Sequence, residues 1–330
     1  MSAPIPTGKL PATLLAALLA DGPPLPPDVL LGPRPGEDAC AIRVPAGALV
    51  AATDPITLTG SAVGAHSVLV NANDVAVMGV RPRWFLATVL LPEGTLEAAV
   101  RGLFAEMRLA LEEVGACLVG GHTEVTSAVS QPIVVGQMLG LAEDGAFVCS
   151  SGVSPGDVVV QAGPAPVEGA AVLAVEAAGR LREIDPETLA RAEEALRAPG
   201  ISVVEPALLC SALGASALHD PTEGGLAAGL AELADASGLR LQVREHDVLW
   251  FEPGRAVCQA LGADPWATLA SGTLLASFPP QRVHEALAAL EQSGVPARAI
   301  GRAAAGQPGV FVDGRPLPPP TRDEVARVLE

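Results

Sequence analysis

Apolar positions recur along the chain with two periods. Over residues 94–115, Leu96, Val100, Leu103, Met107, Leu111 and Val114 fall on one stripe, which predicts a long amphipathic helix. Over residues 61–79 apolar side chains run nearly all round, which predicts a buried helix ending at Gly79, just before Arg81-Pro82. Residues 84–91 and 131–142 are apolar runs of strand length. A short strand over 116–119 leads into Gly120-Gly121-His122-Thr123-Glu124. Upstream, 36–44 and 48–54 read as the arms of a hairpin turning at Pro45-Ala46-Gly47. Residues 10–20 read as an N-terminal helix of the mature protein, because no signal-peptide cleavage region follows. Residues 22–36 read as a semi-rigid Pro- and Gly-rich arm.

A turn cluster at 150–157 places a domain boundary near 150. Beyond it the pattern predicts a strand at 158–161 and helices rich in Ala, Glu and Arg over 167–197. Asp220-Pro221-Thr222-Glu223-Gly224-Gly225 is expected to open a helix ending near Ser237-Gly238. Asp220 would be its N-cap and Pro221 its first residue. A strand over 273–278, a helix over 280–293 and a strand over 299–302 follow. The expected divisions are 1–35 (helix and arm), 36–150 and 151–330. The last two both mix strands with helices, so the fold class is α+β with two domains.

Composition narrows the partners. The net charge is −17 and no basic stretch could track a nucleic-acid backbone. No apolar run is long enough to span a membrane. Aromatics are 3% of residues and tyrosine is absent, so the core is aliphatic and alanine-rich. The five cysteines, Cys40, Cys117, Cys149, Cys210 and Cys258, are odd in number and contain no CxxC pair. That argues against a disulfide framework or a zinc site and for a reducing, cytoplasmic compartment. Lys9 is the only lysine.

The candidate chemistry is acidic. If the hairpin centres on Ala46, Asp38 and Asp54 lie directly opposite one another. Like charges there repel, so a metal ion is the natural neutraliser, and hard oxygen donors suit Mg²⁺. Solvated turn-end acids are the plainer alternative. The buried helix carries Asn71, Asn73 and Asp74, with Asn71 and Asp74 on one face. They either bind a ligand or brace the helix against the hairpin. Gly120-Gly121 could offer N–H groups to an anion or form an ordinary strand-to-loop turn. His122 is a ligand, a base or a bystander. Lys9 either reaches a phosphate or is merely solvated. Asp220 and Thr222 either cap a helix or bind an anion at its start. No Walker, Rossmann or protein-kinase motif is present.

These residues resemble a known family. Gly36-Glu37-Asp38-Ala39, Thr53-Asp54, the run from Asn73-Asp74 to Arg81-Pro82, Gly120-Gly121-His122-Thr123 and Asp220-Pro221-Thr222-Glu223-Gly224-Gly225-Leu226 match, in order, motifs of the PurM-like, aminoimidazole-ribotide-synthetase-related ATP-dependent enzymes. Gly262-Ala263-Asp264-Pro265 and Ser271-Gly272-Thr273-Leu274 resemble later family segments. The resemblance is greatest to the HypE-like hydrogenase maturation branch. It implies a two-domain PurM-like fold whose N-terminal domains pair in a homodimer through a β-barrel-like interface. It also implies ATP with Mg²⁺ beside that interface. Asp38, Asp54 and Asp74 would hold metal and phosphates. Asp54 and Asp74, with His122, would serve the chemistry. Asn73 and Gly120-Gly121 would border the nucleotide, joined by Lys9, Asn71 and Thr123. No cysteine follows Cys258, so chemistry on a tail cysteine is not expected. The expected activity is ATP-dependent activation of an amide, carboxylate or phosphate oxygen on a small-molecule or protein-borne acceptor. The alternatives are a small-molecule kinase of the thiamine-monophosphate type and a non-catalytic ATP-binding maturation partner.

Overall fold

The structure is a computed structural model that describes residues 29–31, 40–44, 47–57 and 62–330. Lys9, Asp38, the expected helix at 10–20 and most of the arm lie outside those residues. Among the described residues no helix is long and apolar enough to cross a membrane. The chain forms two compact units, the first ending at Phe147 and the second running from Val148 to Glu330.

The first unit is one sheet of six strands, ordered β1-β2-β3-β6-β4-β5. The strands are β1 (Val29–Leu31), β2 (Cys40–Val44), β3 (Gly47–Ile56), β4 (Pro82–Pro92), β5 (Cys117–Thr126) and β6 (Ile133–Ala142). Helix α1 (Val63–Ala76) lies against β3 and β6, and α2 (Glu97–Val114) packs on α1 and β5. Strands β4 and β5 pair in parallel because α2 is the crossover between them. The other pairings are antiparallel. Val50, Phe85, Val89, Val134 and Met138 fill the face under the helices. Gly64 allows the two helices to approach, since a Cβ there would stand 2.3 Å from the Leu103 carbonyl. Gly79 and Gly115 sit at φ 73° and 72° where the helical segments end, as expected of stop residues.

Two expectations are corrected here. A hairpin centred on Ala46 would pair Cys40 with Ala52, but Cys40 pairs with Ala51 and Val44 with Gly47. Asp38, the expected partner of Asp54, lies outside the described residues. The Gly120-Gly121 segment is not a strand-to-loop turn: β5 runs through it to Thr126, with a bulge beside Val119. Parallel pairing with β4 carries the strand past both glycines.

The second unit is a seven-stranded sheet ordered β13-β12-β9-β11-β7-β10-β8. Its strands are β7 (Val158–Ala162), β8 (Ala217–His219), β9 (Arg240–Val243), β10 (Leu274–Phe278), β11 (Ala297–Ala304), β12 (Gly309–Val312) and β13 (Arg315–Leu317). Its helices are α3 (Glu168–Glu176), α4 (Pro186–Glu193), α5 (Val204–Ala212), α6 (Gly225–Ser237), α7 (Glu252–Leu261), α8 (Val283–Gln292) and α9 (Glu324–Leu329). One core cluster lies between the sheet and α6, and a second joins α3, α4, α7 and α9. Asp185 caps α4 by accepting the Thr188 N–H at 3.0 Å, which breaks the helical stretch expected over 167–197. Asp220 is not the cap of α6. Gly224 and Gly225 have φ 79° and 62°, so the chain turns there and the helix starts at Gly225.

Candidate active site

Helix α1 is buried almost throughout, so its polar side chains need partners inside the fold. Asn71 is fully buried. Its Oδ1 accepts the Asp54 N–H at 2.8 Å, and its Nδ2 donates to the Asp54 carbonyl at 3.3 Å and to the Ser67 carbonyl at 2.8 Å. The carboxamide thus stands in for a neighbouring strand along β3. Gly136, directly across from Asp54 on β6, makes room: a Cβ there would lie 2.4 Å from Asn71 Nδ2. Thr53 Oγ1 donates to the Gly136 carbonyl at 2.7 Å and ties β3 to β6 at the same point. Asp54 is exposed on this fixed backbone. Asp74 shares Asn71's helix face and is 7% exposed. Asn73 is buried. The structure therefore gives Asn71 the bracing role and ties the helix face bearing Asp74 to the strand bearing Asp54.

Asp54, Gly136, Ala87 and Gly121 form one cross-strand row. At ordinary strand spacing, Gly121 is about 14 Å from Asp54 along it. A Cβ on Gly121 would stand 2.0 Å from the Ala87 carbonyl, so only glycine fits. Phe104, Leu118 and the run Gly120, Gly121, His122 and Thr123 border a cleft of about 220 Å³ over Ala87. His122 pairs with Thr88 on the edge strand, three strands away from Asp54. Its Nε2 lies 3.3 Å from Glu124 Oε2, with both groups exposed. Within one chain, His122 and Asp54 do not converge.

Among the described residues no group of three His, Cys, Asp or Glu forms a metal cage. Asp54 and Asp74 do supply hard oxygen donors. That set fits a cation such as Mg²⁺, which takes one or two carboxylates and completes its shell with phosphate oxygens and water.

The second unit holds buried carboxylates that the sequence reading missed. Asp323 accepts the Gly224 N–H and the Val325 N–H, each at 2.7 Å. The first of these bonds occupies an N–H at the entry to α6 that an anion could otherwise have used. Burial pushes the Asp323 carboxyl up to about 6 despite those bonds. Glu168, in the first turn of α3, is pushed up to about 7 by burial, with Asp323 and Glu223 adding to the rise and a Ser271 hydrogen bond opposing it. A lone acid heading the apolar run 169–174 was the available signal for Glu168. Asp323 had none. In the first unit, burial holds the His66 imidazole down at about 4.

The family comparison covers both units. Residues 36–142 match the AIR synthase related protein, N-terminal domain, and residues 154–313 match the corresponding C-terminal domain. The chain is 30% identical over 278 residues to carbamoyl dehydratase HypE of Rhodobacter capsulatus, covering 82% of this chain and 79% of that one. The crystal structure of hydrogenase maturation protein HypE in complex with ATP superimposes with a TM-score of 0.72 at 24% identity, over 94% of this chain and 91% of that one. AaThiL complexed with AMPPCP and TMP superimposes with a TM-score of 0.68 at 23% identity, over 85% and 88%. With both domain models matched in order and a relative at this identity across most of its length, the chain belongs to the AIR synthase related family.

Proposed function

We propose that this protein is an ATP- and Mg²⁺-dependent enzyme of the HypE-like type, activating an amide, carboxylate or phosphate oxygen on its acceptor by phosphoryl transfer. The observation that carries the reading is the Asn71 clamp. It fixes the backbone under an exposed carboxylate, Asp54, beside a helix that carries a second one, Asp74. Positioning and charge neutralisation are most of what phosphoryl transfer asks of a protein. Asp54 and Asp74, with Asp38, would hold Mg²⁺, which supplies charge neutralisation to phosphate oxygens when bound. Asn71 holds Asp54 in place. Gly120 and Gly121 let a phosphate or sugar approach the β5 backbone, with Asn73, Thr123 and Lys9 as further nucleotide contacts. The HypE complex with ATP and the dehydratase relative support this reading.

A homodimer belongs to the same proposal. Both helices cover one face of the first sheet, and the other face carries half-buried Leu49, Leu86, Leu139 and Leu141. The edge strand β5 leaves Leu118, Val119 and Val125 43%, 53% and 56% exposed. A second copy would cover both surfaces, and any part for His122 in the chemistry requires it. The alternative, a small-molecule kinase, draws on the likeness to AaThiL with TMP. It predicts ADP release only when a phosphorylated acceptor is added.

Calorimetric titration with ATP, with and without Mg²⁺, tests the site. Binding should require Mg²⁺ and be lost in Asp54→Asn. Normal binding of Mg-ATP by that variant would refute the assignment.

A further inference from the structure

The open face of the second sheet carries a cleft of about 840 Å³, lined by residues of the second unit. Arg240, Arg244, Arg302, Gln242 and Phe311 line it, with the β12–β13 hairpin on one side and the start of α8 on the other. Strand pairing explains the grouping. Arg302 on β11 lies opposite Gln242 on β9, and Gln242 lies opposite Phe311 on β12. The neighbouring row, Leu241, Ala303 and Val310, is buried in the core, so Arg302, Gln242 and Phe311 share the outer face. Arg240 and Arg244 flank Gln242 at two residues either way on the same strand run. Each is therefore a diagonal neighbour of Arg302, at about 7–8 Å between backbones.

The arginines are poised for an anion. The Arg302 side chain makes no hydrogen bond or ion pair among the described residues. Arg240 stacks on Phe311, with its guanidinium carbon 4.4 Å from the ring centroid, which holds the fork in one plane. Its buried Nε has no acceptor among the described residues. Arg244 pairs with Asp247 at 2.6 Å, and Asp313 lies at the rim. With Arg244 held by Asp247, the lining leaves the Arg240 and Arg302 guanidinium groups against the Asp313 carboxylate, in a chain of net charge −17. The cleft has the size of a small-molecule pocket.

We propose that this cleft binds a small phosphorylated molecule, with Arg302 and Arg240 as its main contacts. Guanidinium forks suit phosphate and carboxylate alike. Cations approaching from both diagonals of a central arginine favour a tetrahedral dianion, which offers oxygens in more directions than a planar carboxylate.

The test is equilibrium binding of inorganic phosphate, glucose 6-phosphate and citrate to the full chain, without ATP or Mg²⁺. A phosphate probe should bind saturably at one site. Arg302→Gln and Arg240→Gln should each weaken it at least about tenfold, the loss expected for one charge-assisted contact. Arg302 is exposed, so its variant keeps the fold, and an unchanged thermal transition verifies this. Asp54→Asn should leave phosphate binding intact, so failure of the nucleotide assignment would be seen separately. Three results would overturn the proposal: no saturable phosphate binding, unchanged binding in Arg302→Gln, or loss in Asp54→Asn. Citrate binding as tightly as the phosphates would overturn the choice of phosphate.

Discussion

Glu168→Gln isolates one buried carboxyl in the second unit. Glu168 sits near 7 in the folded protein against an ordinary 4.5, because burial penalises its charged form. The folded state keeps a proton that the unfolded chain releases as pH rises past 4.5. The stabilising contribution is therefore full below pH 4.5 and is lost as pH rises through about 7. A shift of that size corresponds to about 3 kcal/mol between the two limits. Glutamine keeps the shape and can accept the Ser271 hydrogen bond, yet it does not titrate. The variant should lack this component, so it should gain stability relative to wild type by about 3 kcal/mol between pH 4.5 and 8. For a unit of this size that is a relative shift of roughly 6–12 °C in melting temperature. The assay is calorimetric melting of both proteins at half-unit pH steps from 4.5 to 8. Taking the difference cancels opposite contributions such as that of His66, whose lowered value adds stability as pH rises from about 4 towards 6.5. If the two curves ran parallel across the range, Glu168 would not be a buried, proton-holding carboxyl.

Other expectations follow from the first unit. Asn71→Ala strands the Asp54 peptide groups and should destabilise that unit by about 2–4 kcal/mol in urea unfolding, while weakening Mg-ATP binding; an unchanged midpoint would show that the clamp is dispensable. Gly136→Ala drives a methyl into Asn71 and Phe85 and should cost about 1–3 kcal/mol by the same assay, whereas a neutral result would mean that the site relaxes freely. Val119→Lys places a charge on the exposed edge and should shift sedimentation from dimer to monomer. A wild-type protein that is already monomeric would remove the dimer proposal.

Much of the fold follows from local pattern. The period of apolar residues marks α1, α2 and the strands β4 and β6, because a helix face or strand face is visible within a dozen residues. The polar trio in α1 stands out because a buried helix has no reason to carry unpaired amides and acids. The tertiary structure decides the rest, since strand partners come from distant sequence. Strands β2 and β3 pair one residue away from the register expected of the hairpin. Parallel pairing with β4 turns Gly120-Gly121 into strand and leaves His122 on the edge strand, three strands from Asp54. Asn71 is a brace because α1 lands where β3 needs a partner along its edge. Arg302 meets Gln242 and Arg240 only through the β9–β11 pairing, and Glu168 meets Asp323 only because α3, α6 and the last helix share one corner of the second unit. Sequence fixes which residues can be buried or charged; burial, register and face, set by contacts across the fold, decide which of them meet.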